Sequence, residues 1–281
     1  MTIFGKAALA SVAGAAVLSW IGMSCEPAAG MEFASHRAIY ELKLAQTRGN
    51  SAAMSARGRI LYDFSGSSCE GYALQFRQVS ELDNGEGKST LSDLRSTSWE
   101  EGTARKFVFK SQNYLNETLI DSADGQAERE ASKLAVTLVK PVDKRFDLET
   151  AIVFPTEHMR RIIDAAREEK SLLELPVYDG SDKGEKVYNT LTVIGRGIAA
   201  EEHPPSDAAA GQPSLAGMRR WPATVSYFDR AGTKSDQPPV YAITFELYEN
   251  GISRALMLDY NDFAISGELT SLEIRDTKPC R

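Results

Sequence analysis

The sequence has few of the residues that most often carry catalysis or bind metals, because its 281 residues include only three cysteines and three histidines. The histidines, His36, His158 and His203, lie far apart, and none has the HxH or HExxH spacing of a zinc site. The GxSxG, SxxK, GxGxxG and GxxxxGK(S/T) motifs of nucleophiles and phosphate-binding loops are also missing. We therefore predict no catalytic residue, no metal site and no cofactor.

Dense clusters of lysine and arginine are missing as well, and the formal net charge is -7 at pH 7. Binding of nucleic acid depends on concentrated positive charge that neutralises phosphates. The composition therefore predicts no nucleic-acid partner. Beyond the N-terminus no segment is uniformly apolar, which predicts no transmembrane segment after removal of a leader.

The N-terminus has the organisation of a secretory signal peptide. Lys6 precedes an apolar run over residues 7–21, and the small residues Ala28, Ala29 and Gly30 follow. The apolar run is shorter than the roughly 20 residues that a membrane-spanning helix needs. We predict a signal peptide at residues 1–29, and the alternative is a retained N-terminal anchor.

Export would place the mature chain, residues 30–281, in the periplasm as a single domain. Cys25 would leave with the leader, and Cys69 and Cys280 would remain. Two cysteines in an oxidising compartment most simply form one disulfide, which would fix the C-terminus to the early part of the domain. The alternatives are a reactive thiol at Cys69 and a lipoprotein modified at Cys25, although Gly22 stands where leucine is usual.

Alternation of apolar and polar residues dominates the mature chain and predicts half-buried antiparallel strands. Turn signals separate them at Asn84-Gly85, Asp124-Gly125, Asp179-Gly180 and Asn250-Gly251. The predicted strands lie at 33–46, 54–64, 72–77, 88–99, 104–111, 114–121, 126–131, 134–138, 188–195, 221–229, 241–247, 252–260 and 263–275. We predict an all-β fold in which a long antiparallel meander curls into a spiral or open barrel.

One segment, residues 156–169, has helical periodicity instead. Met159, Ile162, Ile163 and Ala166 follow the i, i+3, i+4, i+7 spacing of one apolar face. Thr156 is the predicted N-cap. We predict an amphipathic helix that fills or covers the barrel, and the alternative is a helix on a membrane surface.

Residues 199–217 are rich in Ala, Pro, Ser and Gly. Strand patterning continues on both sides of them, so we predict a mobile loop inside the domain and not a linker between domains.

Two features point to a candidate site. Trp99 and Glu100, at a predicted strand end, form a candidate rim for a ligand or partner. A packed tryptophan followed by a solvated turn is the alternative. The aromatic residues of the strands could line a cavity for an apolar ligand or pack in the core. They are Tyr40, Tyr62, Tyr227, Phe228, Tyr241, Tyr248 and Tyr260.

These features together resemble the EipB-like periplasmic proteins of alphaproteobacteria. The resemblance rests on the leader, Cys69 with Cys280, and Trp99-Glu100. It rests also on FPTEHM at 154–159, YENG at 248–251 and LDY at 258–260. It implies a β-sheet wound into a spiral around a helix, a disulfide and a role in cell-envelope integrity. The family has no catalytic residues to transfer, and the loop at 199–217 is a candidate departure from it.

Three hypotheses for the function follow. The first is a non-enzymatic periplasmic protein that supports envelope integrity by binding a protein partner or an envelope component. The second is a carrier or chaperone of lipid or lipoprotein, which requires an apolar cavity. The third is a hydrolase of envelope polymers, which requires catalytic groups that converge in a cleft.

Overall fold

The computed structural model describes residues 32–49, 55–85, 87–202, 205–230 and 237–276. The predicted signal peptide lies outside these residues, and so does Cys280. The first eight strands are β1 (Ser35–Thr47), β2 (Ser55–Ser67), β3 (Gly71–Asp83), β4 (Ser89–Glu100), β5 (Lys106–Leu115), β6 (Thr118–Arg129), β7 (Leu134–Lys140) and β8 (Lys144–Leu148). Helix α1 (Pro155–Arg167) follows, and then come β9 (Leu172–Val177), β10 (Tyr188–Ile194), β11 (Arg220–Asp229), β12 (Tyr241–Tyr248), β13 (Ser253–Asp259) and β14 (Phe263–Arg275).

The 14 strands of the described residues form one antiparallel sheet in the order β8-β7-β6-β5-β4-β3-β2-β1-β14-β13-β12-β11-β10-β9. The first strand pairs with the last, so that Tyr40 of β1 lies opposite Leu269 of β14. The edge strands β8 and β9 do not pair with each other in this order, and α1 lies in the connection between them. The structure thus confirms an all-β sheet that curls without closing and has one helix associated with it.

The alternation predicted from the sequence matches the two faces of the sheet. Along β1, Ala38, Tyr40 and Leu42 are buried while the residues between them are more exposed. The same period of two recurs in β7, where Leu134, Val136 and Leu138 are buried. One face of each strand therefore points into the curled sheet, and the other faces solvent.

One turn prediction and one strand prediction are wrong in the region of β6. Asp124-Gly125 is not a turn, because β6 runs through it. The chain turns instead at Asn116 and Glu117, which have φ angles of 47° and 64° and divide the strand predicted at 114–121. Positive φ at both central residues is the geometry of a tight hairpin turn. Asparagine tolerates such an angle at the first position, and here Glu117 stands at the second position, where glycine is usual.

Helix α1 begins at Pro155, and its N-cap residue is Phe154. The prediction of Thr156 as N-cap is therefore wrong by two positions. Proline is favoured at the first helical position because it lacks the N–H that would otherwise be unpaired. The predicted apolar face is present, since Ile162, Ile163 and Ala166 are buried.

The helix packs inside the curled sheet. Ile162 and Ile163 belong to a core cluster with aromatic residues of β2, β3, β11 and β12, among them Phe64, Tyr72 and Trp221. A second cluster forms on β5 to β7 with Phe154 and Tyr178, and a third joins β1, β2, β13 and β14. The helix therefore lies between two parts of the sheet that are far apart in strand order.

The described part of the segment predicted to be a mobile loop packs against the sheet. It contains a short 3-10 helix, Ala208–Gly211, and Leu215 is buried in the third core cluster. Asp207 and Arg254 form a salt bridge of 2.9 Å, and their side chains are 7% and 6% exposed. The mobility of residues 199–217 stays a prediction.

Candidate ligand-binding cavity

A cavity of about 540 Å³ lies inside the curled sheet, between α1 and the inward face of the strands. Its size is within the range of about 300–1,000 Å³ that is typical of small-molecule sites. Most of its lining is apolar or aromatic, and the apolar part includes Ile60, Leu74, Phe76, Leu94, Met159, Ile162, Ile243, Leu256 and Leu258. The curled sheet is therefore hollow beside the helix.

Most of the aromatic residues singled out in the sequence lie in the wall of this cavity or in a core cluster. The tyrosines that line the cavity are Tyr40, Tyr62, Tyr227, Tyr241 and Tyr260. Tyr40 also belongs to a core cluster, together with Tyr248, whereas Phe228 belongs to neither group. Both interpretations of these aromatic residues therefore apply, since five of them line an interior space and two pack in a core cluster.

Two histidines contribute to the lining, and burial lowers the pKa of both. The pKa of His158 falls to about 4, and the pKa of His36 is also below its usual value. The ring of His158 lies 3.3 Å from the hydroxyl of Thr190, and Nδ1 of His36 lies 2.7 Å from the carbonyl oxygen of Ala34. At neutral pH His158 therefore adds a polar but uncharged group to the wall.

Among the described residues that line the cavity, Asp179 is the single acidic one. It follows β9, and its Oδ1 accepts a hydrogen bond of 2.9 Å from the N–H of Ser181. Burial raises the pKa of Asp179, and hydrogen bonds with Ser181 oppose that effect. The Asp179-Gly180 pair was singled out in the sequence only as a turn. The turn is present, since Gly180 has a φ angle of 74°.

Tyrosines surround this part of the wall. The rings of Tyr227 and Tyr241 stack with centroids 4.4 Å apart, and Tyr188 meets them edge-on at 5.8 and 6.0 Å. Burial is the first cause that raises the pKa of Tyr227 and of Tyr241, and the negative charge of Asp179 adds to it. Asp179, Tyr188, Tyr227 and Tyr241 therefore form one electrostatic cluster, which we call the tyrosine end of the cavity.

Glu100, a member of the predicted rim, makes a buried contact with the helix. Its Oε2 accepts the N–H of Thr156 and its Oε1 accepts the N–H of Glu157, both at 2.7 Å. Burial raises the pKa of Glu100 to about 7, although both hydrogen bonds lower it. Because the first N–H groups of a helix have no partner within it, this side chain from β4 acts as a cap supplied from outside the helix.

Trp99 lies on the opposite face of β4 from Glu100 and packs on the turn between β2 and β3. Its Nε1 donates a hydrogen bond of 3.3 Å to the carbonyl oxygen of Glu70. The indole ring lies against Gly71, where an added Cβ would be 2.6 Å from Cζ2. Neither Trp99 nor Glu100 lines the cavity, and a role of the two as a ligand or partner rim stays a prediction.

Cys69 lies in that same turn between β2 and β3, whereas Cys280 lies outside the described residues. The disulfide between them stays a prediction. Among the described residues no group of three His, Cys, Asp or Glu side chains could hold a metal ion. Nor does that part of the chain contain a helix long and apolar enough to cross a membrane.

The sequence model of the EipB-like family matches residues 27–276. The chain belongs to the EipB-like family. The resemblance inferred from the leader, the cysteines and the short motifs is thereby confirmed.

Two relatives carry the comparison further. The chain is 33% identical over 270 residues to the cell envelope integrity protein EipB of Brucella abortus, covering 95% of this chain and 94% of that one. A crystal structure of a β-barrel-like protein of a domain of unknown function, also from Brucella abortus, superposes with a TM-score of 0.80 at 32% identity. It covers 88% of this chain and 100% of the solved chain, and thus supports the same fold.

Proposed function

We propose that this protein supports the integrity of the cell envelope from the periplasm, without catalysis, by holding an apolar part of an envelope component in its interior. The relative from Brucella abortus is a cell envelope integrity protein, and this similarity supports a role in the envelope. The single observation that carries the mode of action is the cavity of about 540 Å³ with its largely apolar lining. Acyl chains of a lipid or lipoprotein have the chemistry that such a lining accepts.

The alternative of a hydrolase receives less support from the cavity. A hydrolytic site needs a nucleophile and a base, or two carboxylates, within hydrogen-bond reach of each other. Among the described residues, His158 is bonded to Thr190, and His36 to a backbone oxygen. Asp179 is bonded to the turn that follows it. These partners are those of a structural wall, and they favour a binding role.

Binding to a protein partner by the outer surface is the other alternative. Several large apolar side chains are exposed around the hairpin of β5 and β6, including Leu119 and Ile120 at 48% and 53%. The exposed side chains do not indicate which partner they would contact, whereas the largely apolar lining of the cavity indicates the chemistry of its ligand, so the cavity carries the proposal.

The proposal is tested first with purified protein and neutral alkyl alcohols of increasing chain length. Each additional buried methylene contributes about 0.8 kcal/mol, which is roughly a fourfold tighter dissociation constant. We expect that increment from octanol to dodecanol by competition with a fluorescent apolar probe. Affinity that does not rise with chain length would contradict the proposal.

Matched variants connect the cavity to the envelope. Leu94 lines the cavity, whereas Leu91 on the same strand is 36% exposed on the other face. We expect Leu94→Trp to fill the space and to fail to restore detergent resistance in a deletion strain of the host bacterium. Leu91→Trp should restore it at equal protein level. Full restoration by a stable Leu94→Trp would overturn the proposed mode of action.

A further inference from the structure

The cavity has an electrostatic asymmetry that its apolar lining does not explain. Among the described lining residues, Asp179 is the single member of the Asp, Glu, Lys and Arg group. His158 is neutral at pH 7 because its pKa is about 4. These residues therefore give the interior of the sheet one carboxyl group and no fixed positive charge.

No basic side chain of the described residues is paired with the carboxyl group of Asp179. The groups that act on the pKa of its carboxyl are Ser181, its own backbone and Asp182, after burial itself. Lys186 is close in sequence, but its ammonium group pairs with Asp182 at 3.0 Å and with Asp229 at 3.3 Å. Burial raises the pKa of this carboxyl, and a cation bound beside it would favour the ionised form, so that binding of the cation is coupled to loss of the carboxyl proton.

The tyrosines beside Asp179 favour the same sign of charge. Phenol rings attract cations through their negative faces, and the attraction is stronger where water is excluded. One ring of the tyrosine end already contacts a cation, since the ammonium of Lys186 lies 4.8 Å from the ring centroid of Tyr188. Tyr227 and Tyr241 add two further rings and two hydroxyl oxygens. The tyrosine end thus combines a carboxylate with an electron-rich aromatic wall.

The position of this end also suits the polar part of an amphiphile. Tyr260, which acts electrostatically on Tyr241, lines the cavity and is 37% exposed, so the cavity approaches solvent beside the tyrosine end. Apolar side chains such as Ile162, Leu256 and Leu258 line the rest. A ligand with one polar end would therefore place it at the tyrosines and its hydrocarbon beside the helix.

We propose that the cavity takes an amphiphile with a positively charged ammonium headgroup, held by Asp179 and the tyrosine end, with its hydrocarbon chain in the apolar part. This inference rests on the proposed function and adds the charge of the ligand to it. An anionic amphiphile would meet the carboxylate with the same sign of charge and bind less tightly.

The test compares three probes with one chain and different headgroups, below micelle-forming concentrations: dodecyltrimethylammonium, dodecanol and dodecyl sulfate. Isothermal titration of the full mature protein should give the cationic probe at least tenfold tighter binding than the anionic one, with the neutral probe between them. Equal affinity for all three overturns the headgroup inference and leaves the proposed function standing. No binding of any probe contradicts both.

Asp179→Asn isolates the carboxylate. Asparagine keeps an oxygen that can accept the N–H of Ser181, so the turn is retained. We expect this variant to lose most of the preference for the cationic probe while dodecanol binding stays within about twofold. Asp147→Asn, at a position whose side chain is 58% exposed on edge strand β8, is the matched control and should keep the preference. An unchanged preference in Asp179→Asn would overturn the assignment.

Discussion

The carboxylate of Glu100 accepts the N–H of Thr156 at 2.7 Å, and this contact joins β4 to the N-terminus of the helix enclosed by the sheet. The two residues are 56 positions apart, and the second carboxylate oxygen takes the next N–H of the helix. Burial raises the pKa of Glu100 to about 7. The orientation of α1 beside the cavity therefore depends on a titratable group that is supplied by the sheet.

Removal of this external cap should weaken the fold. We expect Glu100→Ala to lower the free energy of unfolding by about 2–4 kcal/mol at pH 6, because two buried N–H groups lose their acceptor and a small void forms. Glu101→Ala is the control, since Glu101 pairs with Arg105 in a contact whose side chains are 29% and 72% exposed. Its cost should be below about 1 kcal/mol. Equal losses in urea denaturation would refute a specific role for Glu100.

The pH dependence of stability should contain two opposed contributions. Glu100 loses its proton near 4.5 when unfolded and near 7 when folded, so its contribution to stability falls as pH rises through that window. His158 gains its proton near 6.5 when unfolded and only near 4 when folded, so its contribution rises with pH over that window. Between pH ~4.5 and ~6.5 the contributions of Glu100 and His158 to stability therefore change in opposite directions.

Single variants should separate them. Relative to the parent protein, Glu100→Gln should add a rising slope of up to about 1.4 kcal/mol per pH unit between pH ~4.5 and ~6.5. His158→Gln should add a falling slope of the same size. Denaturation curves at half-unit pH steps measure both. Slopes parallel to those of the parent protein would mean that neither group titrates as its burial implies.

The salt bridge between Asp207 and Arg254 should be costly to break and cheap to replace. Both side chains are almost fully buried at a separation of 2.9 Å, and Glu246 is the second carboxylate partner of Arg254. Asp207→Ala removes one of these two partners from a buried guanidinium and should cost about 1.5–3 kcal/mol. Replacement of both, by Asp207→Leu and Arg254→Met, should cost clearly less than the sum of the single changes. Thermodynamic additivity would disprove the coupling. Glu81→Ala, at a surface pair with Arg57, is the control.

The predicted disulfide has a test of its own. Cys69→Ser and Cys280→Ser should each lower the free energy of unfolding by about 2–5 kcal/mol, and the double variant should be no worse than either single one. The intact mass of the oxidised parent protein should rise by two hydrogens on reduction. Additive losses, or no mass change, would count against the pairing.

Most of the sheet could be predicted from the sequence because its faces differ in polarity. The alternation in β1 and β7 is direct, since one face of each strand is buried. The error at Asp124-Gly125 has a packing cause. A Cβ on Gly125 would lie 2.8 Å from Leu138 and 3.0 Å from Phe109, so glycine is required for close approach and not for a turn.

The candidate site could be predicted only in part. The aromatic residues of the strands could be identified from the sequence. Which of them face an interior space depends on how the 14 described strands curl. Asp179 was visible as a turn residue, and its place in the wall follows from the pairing of β9 with β10. Glu100 was visible beside Trp99, but its helix partner is distant in sequence. Local patterns do not encode contacts of this range.

The central claim is that the interior of the sheet holds an envelope component. Native mass spectrometry of protein purified gently from a periplasmic extract tests it most directly. We expect a retained species with the mass of a lipid or acylated molecule in the parent protein and in Leu91→Trp, and its loss in Leu94→Trp. A parent protein that is free of ligand in repeated gentle preparations would contradict the account, and so would a ligand retained equally by both variants.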